Sequence, residues 1–204
     1  MRENLPTKAN LLAAKHSRDL AKLGASLLDK KQHILSRELA GHQEKAQALR
    51  TQMEAFFSKA QDSLQAAHIV LGQCDRWAQA VEPDDGLTLH FRSFTGVELP
   101  VLSAEDRPPI PAYGFTGTES VLDEALICFT EVKILIRDLA QAENAAHRLT
   151  EAVRKTGKGV NALNRVVIPR LDRSIRQIEE VLAQRELEAF VRQKHMKKRR
   201  WTLK

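Results

Sequence analysis

Aromatic residues are scarce in this chain of 204 residues: seven Phe, two Trp and one Tyr make up 5% of it. Glycine is scarce too, with nine residues where about 7% is usual. Both shortages are poor material for a compact β-rich core and favour long helices. No run approaches the roughly 20 apolar residues that a membrane-spanning helix requires. At 28% charged and 43% hydrophobic, the chain is not composed like a disordered tail either. The two cysteines, Cys74 and Cys128, lie far apart without a CxxC pair or a His at metal-ligand spacing, so neither a zinc site nor a disulfide framework is expected. The opening Met1–Pro6 has no apolar stretch of signal-peptide length, and no N-x-[ST] acceptor occurs. A reducing, cytoplasmic compartment is the resulting expectation.

Catalytic signatures are missing as well. Without a G-x-x-x-x-G-K-[ST] loop, nucleotide phosphates have no backbone cradle. Lys155-Thr156-Gly157 matches one β-lactamase triplet, but its S-x-x-K and S-D-N companions are absent. The seven His are scattered, and His42 falls on an apolar row, where a tolerated polar interface residue is the simplest reading. Glu179, Glu180, Glu186 and Glu188 lie on a charged face that solvation explains. The expectation is a binding or mechanical protein with no catalytic, cofactor or metal residues.

What the chain does have is strongly ordered punctuation. Five of its seven prolines, four of its nine glycines and four of its ten aromatics fall between residues 83 and 117. This divides the chain into a segment over 1–80, an insert over 81–117 and a segment over 118–204. The first reads as helix from Thr7, a candidate N-cap, to Ala80. One row of sevens runs Leu28, Leu35, His42, Leu49, Phe56, Ser63, Val70, and its partner runs Ala25, Gln32, Leu39, Ala46, Met53, Ala60, Ala67. The third segment reads as helix capped by Thr118 and continuing through Leu122, Leu126, Phe129, Val132, Ile136 and Leu139, with a break at Gly157-Lys158-Gly159. Beyond it Val160, Leu163, Val167, Leu171, Ile175, Ile178, Leu182 and Ala189 form one stripe. Pro169 interrupts that stripe, so a kink or a break beside Ile168 is expected.

In the insert, Leu87–Arg92 and Val97–Val101 alternate apolar and polar residues around a turn at Ser93–Gly96, which predicts a hairpin with Pro100 at an edge. A lone helix would leave its apolar stripe in water, so the two long segments must pair. The expected fold is all-α dominated: a long antiparallel two-helix coiled coil formed by the N- and C-terminal segments, with a short β-hairpin in the middle. Its candidate seam residues are Leu28, Leu35, Leu39, Leu49, Met53, Phe56, Val167, Leu171, Ile175, Ile178 and Leu182.

Charge is distributed unevenly. Residues 1–80 carry +4, 81–117 carry −4, 118–191 carry −1 and 192–204 carry +7, so the net +6 belongs to the tail. Lys197, Lys198, Arg199, Arg200 and Trp201 are therefore the candidate partner-binding residues. A basic run beside a Trp suits nucleic acid, anionic lipid or an acidic protein surface. A solvated helix end is equally consistent with it, because cations favour a helix C-terminus.

Three stretches resemble a known family, the D subunit of V-type and archaeal-type rotary ATPases. The first is Pro6-Thr7-Lys8 leading through Leu11-Leu12 to Gly24–Lys31. The second is Gly96-Val97-Glu98-Leu99-Pro100-Val101, then Tyr113-Gly114-Phe115 and Leu122-Asp123-Glu124-Ala125. The third runs Val160-Asn161-Ala162-Leu163-Asn164 through Ile168-Pro169 to Ile175, Ile178, Arg185-Glu186 and Phe190-Val191-Arg192. Lys158-Gly159 stands where the family has paired arginines, and Asn164 replaces its common Glu. The resemblance implies a non-catalytic central-stalk rotor shaft without a cofactor, cytoplasmic and peripheral to the membrane. It implies three partners: the hexamer of catalytic and nucleotide-binding subunits around both chain ends, and the small F subunit of the central stalk and the membrane-ring adaptor near the insert. It implies no direct membrane insertion and no nucleic acid. The competing readings of the residues are a coiled-coil nucleic-acid-binding protein that uses the basic tail, and a coiled-coil tether.

Overall fold

The computed structural model describes residues 5–79, 86–104, 111, 113–114 and 116–202. Helix α1 spans Lys8–Leu71, followed by a short helix α2 at Asp75–Ala78, strands β1 at Thr88–Phe94 and β2 at Val97–Ser103, helix α3 at Ser120–Ala162, a π-helical turn at Leu163–Val167, and helix α4 at Ile168–Thr202. Helix dominates, with a small antiparallel sheet in the middle of the chain, as composition and punctuation require. The chain forms two compact units: the first comprises Met1–His33 with Arg154–Lys204, the second Ile34–Val153.

In the first unit the start of α1 runs antiparallel to the end of α3 and to α4. Lys8 pairs with Glu186 at 3.1 Å, Lys15 with Glu179 at 2.7 Å and Arg18 with Asp172 at 3.9 Å. Thr7 caps α1 as expected, its Oγ1 accepting from the Asn10 N–H at 3.2 Å. One expectation fails here for an identifiable reason. Gly157 and Gly159 do not break the chain, because α3 continues to Ala162. A Cβ on Gly157 would lie 3.2 Å from Gln32 Nε2, so a helical glycine lets the Gln32 side chain of α1 lie close across the seam.

Pro169 does not break the helix, since α3 passes through a π-helical turn at Leu163–Val167 directly into α4. A proline leaves the carbonyl four residues earlier without its usual donor, and its ring crowds that carbonyl. The ladder widens just ahead of it: the Ile168 N–H donates to the Leu163 carbonyl five residues back, a π-turn that leads directly into α4. The extra residue rotates the stripe. Val167 is 37% exposed, and the inward positions resume at half-buried Ile168 and Leu171 and at buried Ile175 and Ile178.

In the second unit, later α1 runs antiparallel to α3, with Arg50 Nη2 donating to Glu143 Oε1 at 2.6 Å. Helix α1 stops at Leu71 rather than near Ala80. Gly72 adopts φ +78 and donates its N–H to the His68 carbonyl at 3.0 Å, a left-handed C-terminal cap. Thr118 is not the cap of α3. Its hydroxyl donates to the Gly114 carbonyl at 3.1 Å, and the helix opens at Ser120.

The hairpin is tighter than expected. Its loop is only Thr95-Gly96, both at positive φ (47° and 80°), the two-residue turn whose twist matches that of paired strands. Phe94 and Val97 flank the loop as a hydrogen-bonded pair, so alternation along the register makes Phe91↔Pro100 a non-hydrogen-bonded pair. The nitrogen of Pro100 therefore faces the outer edge of β2 and removes no ladder bond. That edge is held by α3: Arg148 Nη1 donates to the Glu98 carbonyl at 3.0 Å, and the Leu102 N–H donates to Gln141 Oε1 at 2.9 Å. The hairpin is thus part of the core. Leu99 is buried with Leu35, Ala145 and Leu149, and Phe94 and Val97 pack against them. Two further clusters centre on Ala60, Cys128 and Val132, and on Ala67, Cys74 and Leu122.

Candidate partner-binding surfaces

The seven His and two Cys all lie among the described residues. Among them no group of three or more His, Cys, Asp or Glu is placed to hold a metal, and no helix is long and apolar enough to cross a membrane. Cys74 and Cys128 are free thiols and both are buried. His42 lies in the seam, half-buried, with Nε2 3.7 Å from Glu38 Oε1 and a buried Nδ1 that has no hydrogen-bond partner. What the surface offers is exposed apolar and charged faces, the chemistry of association.

The structure distributes the expected seam residues unevenly. Leu35, Ile175 and Ile178 are buried, while Leu28, Leu39, Leu49, Met53, Leu171 and Leu182 are half-buried. Phe56 is exposed, like Val167. The reason lies in the period. A strict seven-residue row drifts about 20° per heptad around a straight α-helix, so the Leu28 row turns outward as it lengthens. Its partner row turns inward, and Ala60 and Ala67 are completely covered.

The basic tail is helical to Thr202, and Lys197 and Lys198 are exposed on α4. The side chains of Arg199, Arg200 and Trp201 lie outside the described residues. The described contacts between α1 and α4 end at Glu186, with Arg185 Nη1 donating to the Pro6 carbonyl at 3.0 Å. From residue 187 to 198 every position of α4 is exposed, including Leu187, Phe190, Val191 and Met196. The charges of this segment dominate its sequence and hide an apolar stripe, although Leu187, Phe190 and Val191 carry the three-and-four spacing that signals one. On α1, Leu20, Leu23, Leu27 and Ile34 likewise repeat by three, four and seven on an exposed face. That face is legible in the sequence but masked by the richer rows beside it.

One concavity is announced by no single periodic pattern in the sequence, although Tyr113, Leu122 and Ala125 of the second resembling stretch line it. In the second unit, Leu64, Cys74, Trp77, Tyr113, Leu126 and Phe129 border a pocket of about 330 Å³. The Tyr113 hydroxyl donates to Asp123 Oδ1 at 2.7 Å. Burial pushes the phenol pKa upward, and the hydrogen bond and negative charge of Asp123 push it further.

Known proteins resemble this chain along nearly its whole length. The family model for the D subunit of ATP synthase matches residues 10–198. The D subunit of a V-type ATP synthase from Thermotoga neapolitana is 33% identical over 196 residues, which is 95% of this chain and 97% of that protein. The D subunit of an A-type ATP synthase from Methanopyrus kandleri is 33% identical, covering 94% of this chain and 84% of its own. That of Pyrococcus furiosus is 32% identical over 94% and 92%. These matches take in both helical segments and the hairpin together.

Proposed function

The chain belongs to the family of ATP synthase D subunits, and from that premise we propose that it is the non-catalytic central-stalk rotor subunit of a V-type ATPase or ATP synthase. In this role it transmits torque between ATP hydrolysis or synthesis in a catalytic hexamer and proton or sodium transport through a membrane ring. Its partners are the catalytic and nucleotide-binding subunits of the hexamer, the small F subunit of the central stalk and the ring adaptor. It works on the cytoplasmic side, peripheral to the membrane.

The observation that carries this reading is the family match over residues 10–198, joined to apolar surface that the chain's own fold leaves uncovered. In the first unit alone, Leu12, Leu20, Leu23 and Leu27 are each more than half exposed, and Leu187 and Phe190 of α4 are as open. Apolar surface of that extent is the mark of a protein that works inside an assembly. Two paired helices resist twisting better than one, and alanines at the seam, such as Ala25, Ala60 and Ala67, let them approach closely. Coupling arises from differential contact energy as the rotor presents different faces to the three catalytic sites. The tail, with Lys197, Lys198, Arg199, Arg200 and Trp201, meets acidic surface in the hexamer.

Mixing the purified chain with its cognate hexamer and small stalk subunit tests the proposal. A complex with one chain per hexamer and altered ATPase activity is expected; a hexamer that neither retains the chain nor changes its turnover overturns the reading. Deleting residues 193–204 leaves helicity near that of the parent and slows assembly, most at low salt, where steering by charge is strongest. Steeply salt-dependent DNA binding by the intact chain would instead identify the tail as a phosphate contact.

A further inference from the structure

The geometry points to the outer face of α1 in the first unit as a docking surface for an acidic amphipathic helix of a partner protein, laid along Leu20, Leu23 and Leu27. Segment sums hide the charge of this face. Residues 118–191 total −1, yet between Glu151 and Asp172 every charged residue is a cation: Arg154, Lys155, Lys158, Arg165 and Arg170. Residues 15–33 and 154–176 together hold twelve Lys and Arg against Asp19, Asp29 and Asp172, a net +9. Lys15 and Arg18 are ion-paired, and the other ten have no ion-pair partner among the described residues. The two stretches lie side by side. A Cβ on Gly24 would meet Leu163 at 4.0 Å, one on Gly159 would meet Leu28 at 3.5 Å, and one on Gly157 would meet Gln32 at 3.2 Å. The stretch Leu20–Lys30 of α1 is thus level with the run from Lys158 through Arg165.

Spacing, carbon and charge together define the occupant. Leu20, Leu23 and Leu27 follow the three-and-four spacing of a coiled-coil seam, each is 55–57% exposed, and the next place in their row is Lys30. Ala25, the buried residue of the same turns, lies on the opposite side of α1, towards the helix it pairs with. A bare seam row takes a helix, and its leucines take that helix's apolar stripe. Lys30, Lys158 and Arg165 beside the row attract carboxylates on the flanks of the stripe. A second copy of the chain would bring the same cations to this face and is repelled. Nucleic acid would leave the leucines in water, and the two basic stretches contain no aromatic residue on which a base could stack.

This surface goes beyond the rotor reading, which places the acidic contact at the tail, and it is tested without any ATPase component, so either can fail alone. A fluorescently labelled amphipathic Leu–Glu helix is titrated with the full-length chain and followed by anisotropy, with the matching Leu–Lys helix as control. Saturable binding of the Leu–Glu helix alone is expected, weakening roughly tenfold or more as salt rises. Lys30→Glu and Leu23→Ser, both at exposed positions, each weaken it about tenfold with unchanged far-ultraviolet circular dichroism. Lys59→Glu, an equal change of charge at an exposed position of the second unit, leaves affinity within about twofold. So does deletion of residues 193–204, which start roughly 25 Å beyond Arg176 along α4, well past the Debye length of about 10 Å. Loss of binding on that deletion, equal binding of the Leu–Lys helix, or parental affinity in Leu23→Ser overturns the proposal. Displacement of the helix by a DNA duplex whose own affinity ignores Leu23→Ser also overturns it, because the face would then be a phosphate contact. Self-association of the chain that Lys30→Glu abolishes does the same, since the occupant would be a second copy.

Discussion

The second unit is held by buried carbon, and the first by a thin seam fringed with charge. Of the seventeen buried apolar residues among those described, only Ala25, Val160, Ile175 and Ile178 belong to the first unit. Among the described residues of that unit, ion pairs from Lys8, Lys15 and Arg18 join the helices, all solvent-exposed to some degree. Exposed pairs contribute about 0–1 kcal/mol each, whereas burying one Leu or Ile side chain contributes about 1.5–3 kcal/mol. The difference teaches where intrinsic stability resides. The second unit stands on its own core; the first has helix pairing and faces that a partner would have to cover.

The sharpest attempt to break this comparison is a pair of cavities. Leu149 is completely buried in a cluster with Leu35, Leu99 and Ala145, so Leu149→Ala opens a cavity inside the core. A loss of about 3–5 kcal/mol is expected from urea unfolding of the full chain. Ile175→Ala, at a seam only two helices thick, opens towards solvent and costs nearer ~2 kcal/mol, the low end of the same range. Equal losses would mean that the two units are not held differently. Amide exchange gives an independent reading, with protection in the second unit outlasting that in the first.

Arg148→Ala comes next in size and tests whether the hairpin belongs to the core it touches. The guanidinium donates to the Glu98 carbonyl and sits 5.0 Å from the Phe91 ring centroid. Losing both contacts should cost about 1–2 kcal/mol, without changing helix content. Faster exchange confined to the amides of β1 and β2 is the accompanying signature. A cost below about 0.5 kcal/mol, the level of an ordinary surface substitution, would reduce the arginine to a surface ornament.

How much of this contrast the sequence carries depends on the range of the forces involved. The hairpin is legible because alternation is local, yet its loop is two residues shorter than the pattern suggests, since Thr95 at φ 47° defies the preference for Asn or Gly there. The long rows in α1 are legible as helix, but strict sevens cannot report the drift that exposes Phe56 and covers Ala67. Pro169 and Gly157 look like interruptions because each weakens an isolated helix. A π-turn absorbs the first, and close packing of Gln32 explains the second. The pocket is announced by no single pattern, since Leu64, Trp77, Tyr113 and Leu126 come from four separate stretches. The basic tail is conspicuous as charge, and its apolar stripe is hidden beside that louder signal.

The smallest expected effect probes the seam of the first unit at Gly157. A Cβ there would stand 3.2 Å from Gln32 Nε2 and 3.5 Å from its Cδ and Oε1, all near the end of a flexible side chain. Alanine gains about 0.8–1.0 kcal/mol over glycine in a helix interior, and Gln32 can yield by a few tenths of an ångström at little cost. Gly157→Ala should therefore raise stability slightly, by under about 1 kcal/mol on those propensities. Gly157→Leu has to displace Gln32 altogether, and should lower stability and speed exchange in the first unit alone. If alanine also destabilised the chain, Gln32 would have to be a fixed element of the seam, and the first unit would owe more to specific packing than to its fringe of charge.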